Sequence, residues 1–343
     1  MRIQSGFSFS WFAGLLFLAS GLPLKAQRSR HVTIAAIGTA PRASASTASP
    51  AMVAEVIAFW ERQLKQVWPS SPDLVLLPEA ADRPSGLSIA EQFHYFRLRG
   101  DEVLDFFRRQ AAAHHCYIAL GTKRQSEDSS WHNSVIIIDR EGKTKGIYNK
   151  NFPTLDEIQA GIRPADEAPV FDLDFGRVAC AICFDLNFHE LLDRYSCQHP
   201  DLILFSSVYH GGPEQDSWAY GCRSYFVSAV ADPGIASEIK NPLGEVVASS
   251  TNYFHYTVAT INLDFRLAHL DYNWERLAAL QSKYGGRVTV HDPGKLGSVL
   301  IYSNDPALAT DDLVREFHIE LLDDYFSRAR RLRLASIHQN AQQ

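Results

Sequence analysis

The sequence predicts an α/β fold in which sheets are covered by helices. Three observations carry that reading. Short continuous apolar runs, bounded by turn residues, alternate along the chain with segments of helical period, as in layered α/β proteins. Of 343 residues, 46% are hydrophobic and 21% charged, so the chain is neither disordered nor fibrous and can bury a full core. No internal repeat, low-complexity tract or linker divides it.

Taken in order, residues 31–37 (HVTIAAI) read as a buried strand, and Pro41 to Pro50, rich in Ala, Ser and Thr, as a loop. Val53, Val56, Ile57, Trp60 and Leu64 then recur at helical spacing until Pro69 and Pro72 end the helix. Leu74 to Leu77 is a short apolar strand stopped by Pro78. A second helix covers roughly Asp101 to His115, and Cys116 to Leu120 returns as a strand closed by Gly121. Ser134 to Ile138, the turn Asp139-Arg140-Glu141-Gly142, and Lys145 to Tyr148 read as a hairpin. Val178 to Ile182 is a buried strand, followed by a helix from about Phe188 to Cys197. Leu202 to Phe205 is again a strand, and Ser217 to Ser228 a helix. Ile235 to Ile239, Glu245 to Ala248 and Val258 to Asn262 complete the strands. Beyond a domain ending near residue 265, Asp311 to Leu334 reads as one long amphipathic helix in a helical extension over 266–343.

The charge balance, 33 Lys and Arg against 39 Asp and Glu, gives a net −6 and argues against a nucleic-acid partner. Arg2, the uncharged run Phe7 to Leu22, Pro23 and the small Ala26 before Gln27 have the form of a secretory signal peptide over residues 1–26. The run is short of the roughly 20 apolar residues of a membrane span. The expectation is a secreted or periplasmic protein, beginning at Gln27, with no stable membrane span after processing. The cysteine count is odd: Cys116, Cys180, Cys183, Cys197 and Cys222. Cys180-x-x-Cys183 has no second pair of ligands, and the 13 histidines form no HExxH, so the metalloenzyme reading has no spaced ligand set. Cys197 with Cys222 is the one pair worth testing as a disulfide, and geometry decides it.

Three segments place a reactive side chain just after an apolar strand, where α/β sheets carry their ligands. The first ends in Glu79 (DLVLLPE), whose burial would suit a general base, though alone it also reads as a loop or capping acid. The second carries Lys150 (GIYNKNFP), a donor for a developing oxyanion or an ordinary solvated lysine. The third carries Cys183 (GRVACAICFD) at a strand-to-helix junction, where helix-start amides would stabilise a thiolate. Strand alternation points Cys180, three residues earlier, to the opposite face, so Cys180 reads as a core residue.

Together, and in this order, LLPE, YNK and ICFD resemble the nitrilase (carbon-nitrogen hydrolase) superfamily, over most of the chain from about His31 to Asp264. The stretch from Lys150 to Pro164 resembles the family's post-lysine loop, with Glu157 matching its second glutamate better than Asp156, and Asn241-Pro-Leu-Gly-Glu245-Val-Val resembles its late hairpin. The resemblance implies a four-layer α-β-β-α sandwich and a domain over 27–265. It implies a Glu79-Lys150-Cys183 triad supported by Glu157, with Lys150 and the backbone N–H of Phe184 as the oxyanion hole. It also implies no metal, no organic cofactor and a homodimer or larger assembly. Phe184-Asp185 after the cysteine is similar to the amidase and carbamoylase branches, whereas nitrilases tend to carry Trp-Glu. The expected activity is hydrolysis of a linear amide or N-carbamoyl compound. A nitrilase acting on R–C≡N and a catalytically silent binding protein of the same fold are the alternatives. Tyr209, His210 and Trp218, after the Leu202 strand, are candidate pocket residues by position.

Overall fold

A computed structural model describes residues 30–232 and 234–340, so the expected signal peptide lies outside the described residues. The strands are β1 (His31–Ile37), β2 (Leu74–Leu76), β3 (Tyr117–Gln125), β4 (Trp131–Ile138), β5 (Thr144–Asn149), β6 (Val170–Asp172), β7 (Arg177–Ile182), β8 (Leu202–Ser207), β9 (Tyr225–Val230), β10 (Glu238–Lys240), β11 (Val246–Ser249), β12 (Tyr256–Asn262), β13 (Phe265–His269), β14 (Val288–His291) and β15 (Ser298–Ser303). The α-helices are α1 (Pro50–Val67), α2 (Ile89–Arg99), α3 (Glu102–His114), α4 (Leu155–Gln159), α5 (His189–Ser196), α6 (Glu214–Cys222), α7 (Trp274–Tyr284), α8 (Thr310–Glu316) and α9 (Leu322–Asn340).

Two six-stranded sheets form, in the orders β12-β1-β2-β3-β4-β5 and β11-β10-β9-β8-β7-β6. Each has a parallel centre, β1/β2/β3 in one and β7/β8/β9 in the other, with antiparallel strands outside. Such central strands are buried on both faces, which explains their unbroken apolar runs. The period-two alternation then sorts side chains between layers. Ile34 and Ala36, Leu74 and Leu76, and Val135 and Ile137 face the second sheet and share one core with Val178, Cys180, Ile182 and Leu204. Ala35 and Ile37, Val75 and Ile118 point the other way, under Trp60 and Leu64 of α1 and Phe107 of α3. Leu191 and Tyr195 of α5 and Trp218 of α6 cover the second sheet. The result is the expected four-layer sandwich, with sheets flanked by helices.

The structure departs from the sequence reading in five places. Gly121 does not close a strand. It lies inside β3, where a Cβ would meet the Pro78 carbonyl oxygen at 2.2 Å, so only glycine lets β3 pass the chain that leads into Glu79. The helix placed over Ser217 to Ser228 ends at Cys222, and the β-branched and aromatic run Tyr225–Val230 is a central strand. Helix α2 was unanticipated, although Ser88 caps it, accepting from the Glu91 amide. The extension is not only helical. Strands β13, β15 and β14 form a third sheet whose core joins Leu277, Leu280, Ile301, Leu313 and Ile319. Its last part is two helices, broken by a turn in which His318 has φ +51°.

Gly121→Ala is expected to lower unfolding stability by about 1–3 kcal/mol, the usual cost of inserting a methyl group where no space exists. A urea titration at neutral pH checks this, and an unchanged midpoint contradicts the close-approach account.

Candidate active site

The three sequence segments converge. Cys183 follows β7 directly, Lys150 follows β5 directly, and Glu79 stands three residues past the end of β2. A hydrogen bond from Ser206 Oγ on β8 to the Leu77 carbonyl, 2.8 Å, joins the second sheet to the chain just before Glu79. Glu79, Lys150, Glu157 and Cys183 all line one cavity of about 210 Å³, together with Arg83, Lys123, Thr154 and Val208. A wider groove of about 690 Å³ shares Glu79, Ala80, Arg83 and Val208 with it.

Lys150 organises the charges. It is 1% exposed, and its Nζ donates to Glu79 Oε1 at 2.9 Å and Glu157 Oε2 at 2.8 Å. Asn133 Nδ2 donates to Oε1 of both carboxylates at 2.7 Å, and Lys123 Nζ lies 3.1 Å from Glu157 Oε1. Thr154 and Glu157 form a reciprocal capping box that starts α4 and fixes the Glu157 side chain. Burial opposes the Lys150 charge, yet the carboxylates of Glu79 and Glu157 hold its ammonium well above the usual lysine range. Burial likewise opposes a charged Glu157, but Lys150 and Lys123 hold its carboxyl down at about 2. Glu79 Oε2 is buried with no hydrogen-bond partner among the described residues.

Cys183 sits at φ +47°, a left-handed conformation that costs a non-glycine residue energy and recurs where a side chain must be presented. Asp185 holds that turn. Its buried carboxylate accepts from the Ile182 amide at 2.8 Å, the Phe152 amide at 2.8 Å and the Tyr148 hydroxyl at 2.7 Å. One group thus ties the residue before Cys183 to β5 and to the loop after Lys150. Burial pushes Asp185 up to about 6, against the pull of those three hydrogen bonds. Phe152 also stacks on Phe188, with ring centroids 3.9 Å apart.

The helix-start expectation for Cys183 is corrected. Residues 183–187 form a single 3₁₀ turn, and α5 begins only at His189. Burial pushes the Cys183 thiol up to about 12; Glu79 adds to the rise and Lys150 opposes it. Burial and Glu79 thus favour the protonated sulfur over a thiolate. The Phe184 amide is among the first of that turn, which have no acceptor inside it. Cys180 is fully buried, and burial alone raises its thiol. Cys197 and Cys222 are both free, so they form no disulfide. Trp218 is core, its indole donating to the Leu186 carbonyl at 3.0 Å. His210 faces Glu238 at 3.3 Å, and Tyr209 accepts from Asn187 at 3.1 Å. None of these three lines the cavity. Sequence reasoning missed Asn133 and Lys123, inside strands β4 and β3, and Arg83, on the loop after β2, none of which has a reactive-residue signature, and left Asp185 without a role. No cluster of His, Cys, Asp and Glu suited to a metal occurs among the described residues, and no described helix is long and apolar enough to cross a membrane.

Comparison with known proteins matches residues 33–265 to the carbon-nitrogen hydrolase family, and the chain belongs to that family. It is 26% identical over 221 residues to the nitrilase and fragile histidine triad fusion protein NitFhit of Caenorhabditis elegans, covering 56% of this chain and 50% of that one. It is 25% identical over 157 residues to 2-oxoglutaramate amidase of Bacillus subtilis (45% and 54% covered) and 28% over 154 residues to pantetheinase of Bos taurus (41% and 29% covered). The chain thus spans about half the length, or less, of these curated relatives. A crystal structure of an amidase from Nesterenkonia sp. superposes with a TM-score of 0.59 at 16% identity, covering 75% of this chain and 97% of that one, a likeness of fold.

Because the folded pKa of Glu157 is depressed, its stabilisation is present above the ordinary glutamate range and is lost as pH falls toward 2. Glu157→Gln is expected to cost on the order of 3 kcal/mol at pH 7, and the deficit should shrink below pH 4. Urea unfolding of both proteins at pH 7 and pH 3 checks this; a deficit independent of pH contradicts the charge assignment.

Proposed function

We propose that the chain is an exported thiol amidohydrolase that cleaves the C–N bond of a linear amide or N-carbamoyl compound through a Cys183 acyl-enzyme. The observation that carries the reading is a half-buried cysteine sharing a small cavity with a carboxylate and a buried lysine. An amide carbon is a poor electrophile, and a sulfur nucleophile divides the reaction into acylation and deacylation. Glu79 takes the Cys183 proton as sulfur attacks the carbonyl carbon. The oxyanion forms against Lys150 Nζ and the Phe184 N–H. When the C–N bond breaks, Glu79 returns the proton to the leaving ammonia or amine. Glu79 then deprotonates a water that attacks the thioester, releasing the acid and restoring the thiol. Glu157 and Asn133 hold Lys150 and Glu79 in register. The amidase and pantetheinase relatives support a non-peptide C–N bond as the target.

The proposal extends to assembly as a homodimer or larger homo-oligomer, supported by the exposed Leu332, Leu334 and Ile337 on α9.

A panel of amides, N-carbamoyl amino acids and nitriles, assayed for ammonia release, tests the activity. Cys183→Ala should abolish release while keeping the unfolding midpoint within about 1 kcal/mol of the parent, and Lys150→Met should lose at least about 10²-fold in kcat. Near-normal turnover by Cys183→Ala contradicts the mechanism.

Export is read separately. N-terminal sequencing of protein recovered from periplasm or medium should find a start near Gln27, and intact Met1 in the cytoplasm contradicts it.

A further inference from the structure

Of the charged side chains at the cavity, Arg83 and Lys123 take no part in the proposed chemistry, and Lys123 is paired with Glu157. Arg83 lines both the 210 Å³ cavity and the wider groove beside it. The loop that presents it is pinned on every side. The Ala81 amide donates to the Gly121 carbonyl at 2.8 Å, and the Trp60 indole donates to the Ala81 carbonyl at 2.6 Å. Asp82 is locked in a buried ion pair with Arg99 at 2.6 Å and accepts from Thr122 Oγ1 at 2.5 Å. The Ser85 amide donates to the Pro41 carbonyl at 2.8 Å. The arginine is therefore pre-positioned by the fold.

Its guanidinium has no matching anion. The neighbouring carboxylates are all engaged elsewhere: Asp82 by Arg99, Glu79 by Lys150 and Asn133, and Glu157 by Lys150, Lys123 and Asn133. Among the described residues no carboxylate stands within ion-pair distance of Arg83, and its Nη1 reaches only the Pro84 carbonyl at 3.4 Å. Its Nε is buried without a hydrogen-bond partner. Burial lowers its pKa, while Asp82, Glu79 and Glu157 act on it only from further off. A partly desolvated guanidinium without a partner is costly, and a ligand carboxylate is the group its planar fork matches.

The charge count of the cavity agrees. Arg83, Lys123 and Lys150 oppose Glu79 and Glu157, three cations against two anions, with Cys183 as a thiol. One monoanionic ligand brings that excess to zero. The size of the cavity, about 210 Å³, lies below the usual range of roughly 300–1,000 Å³ for drug-sized ligands, so the ligand is a short chain. The wider groove adds Arg42 and Asp232, one charge of each sign, so the unbalanced cation stays with the inner cavity.

We infer that the site takes short linear amides or carbamoyl compounds that carry a carboxylate at the end remote from the scissile bond, bound by Arg83. This rests on the thiol-hydrolase reading of the same cavity.

Two measurements on the full chain test it. The first is the ratio of kcat/KM for succinamate over butyramide, a neutral amide of similar length. The parent should prefer succinamate at least about tenfold. Arg83→Gln should reduce that ratio by about 10–100-fold, chiefly through KM for succinamate, and Arg83→Lys should retain part of it. The second needs no turnover. Succinate should protect Cys183 from alkylation by iodoacetamide in the parent but not in Arg83→Gln. A ratio near one in the parent, a ratio insensitive to Arg83→Gln, or equal protection of both proteins overturns the inference. If butyramide is hydrolysed through Cys183 without preference for succinamate, the carboxylate site falls and the hydrolase reading stands. If neither amide releases ammonia while succinate protects Cys183 through Arg83, the anion site stands and amide hydrolysis falls.

Discussion

A single buried ammonium, Lys150 Nζ, sits between the carboxylates of Glu79 and Glu157, and the site depends on that arrangement. Each of these charges would be costly alone inside the protein. Together they offset one another only while the geometry holds, and removing one partner from such a group typically costs about 3–5 kcal/mol. The cluster therefore disciplines its surroundings. Asn133 must bridge both carboxylates, Lys123 must approach Glu157, and the capping box of Thr154 must start α4 where it does. Under the proposed mechanism, the cluster would hold a base and an oxyanion donor ready before any substrate arrives, which is where much enzymatic rate enhancement originates.

The sandwich supplies the distances. Glu79 comes from the first sheet, Cys183 from the second, and Lys150 from the hairpin strand at the edge of the first. Their spacing is set by how the two sheets pack. The Ser206–Leu77 hydrogen bond and the three donors gathered by Asp185 are the local fasteners across that interface. Asp185 also stabilises the left-handed backbone of Cys183, a strain that the surrounding contacts offset. Arg83 extends the same logic outward, since the loop that carries it is anchored by the close passage of Gly121 and by Trp60.

The three residues that meet in the cavity were legible in the sequence because each follows an apolar strand, a pattern set by local chain order. The central strands were legible for the same reason, since burial on both faces leaves no polar interruption. What was not legible depends on contacts distant in sequence. Asn133 looks like any residue of a hairpin strand, and only the fold brings it to Glu79, 54 positions away. Gly121 reads as a strand terminator until the chain before Glu79 is seen lying against it. The run Tyr225–Val230 follows a helix with only Arg223 and Ser224 between, so its helical-looking approach masked a strand. In the extension, Leu313, Phe317 and Leu321 keep helical spacing across a break that His318 makes without Gly or Pro. The thiol's protonation state was also out of reach, because it follows from burial and from Glu79 rather than from the turn that carries it.

Trapping the covalent intermediate tests the central claim most directly. The protein is incubated with p-nitrophenyl butyrate, quenched in acid and digested, and the peptides are weighed. The account predicts one butyryl group, carried on the peptide containing Cys183 and absent from Cys183→Ala. A butyryl group on another residue, or continued turnover by Cys183→Ala with no adduct at Cys183, would contradict it.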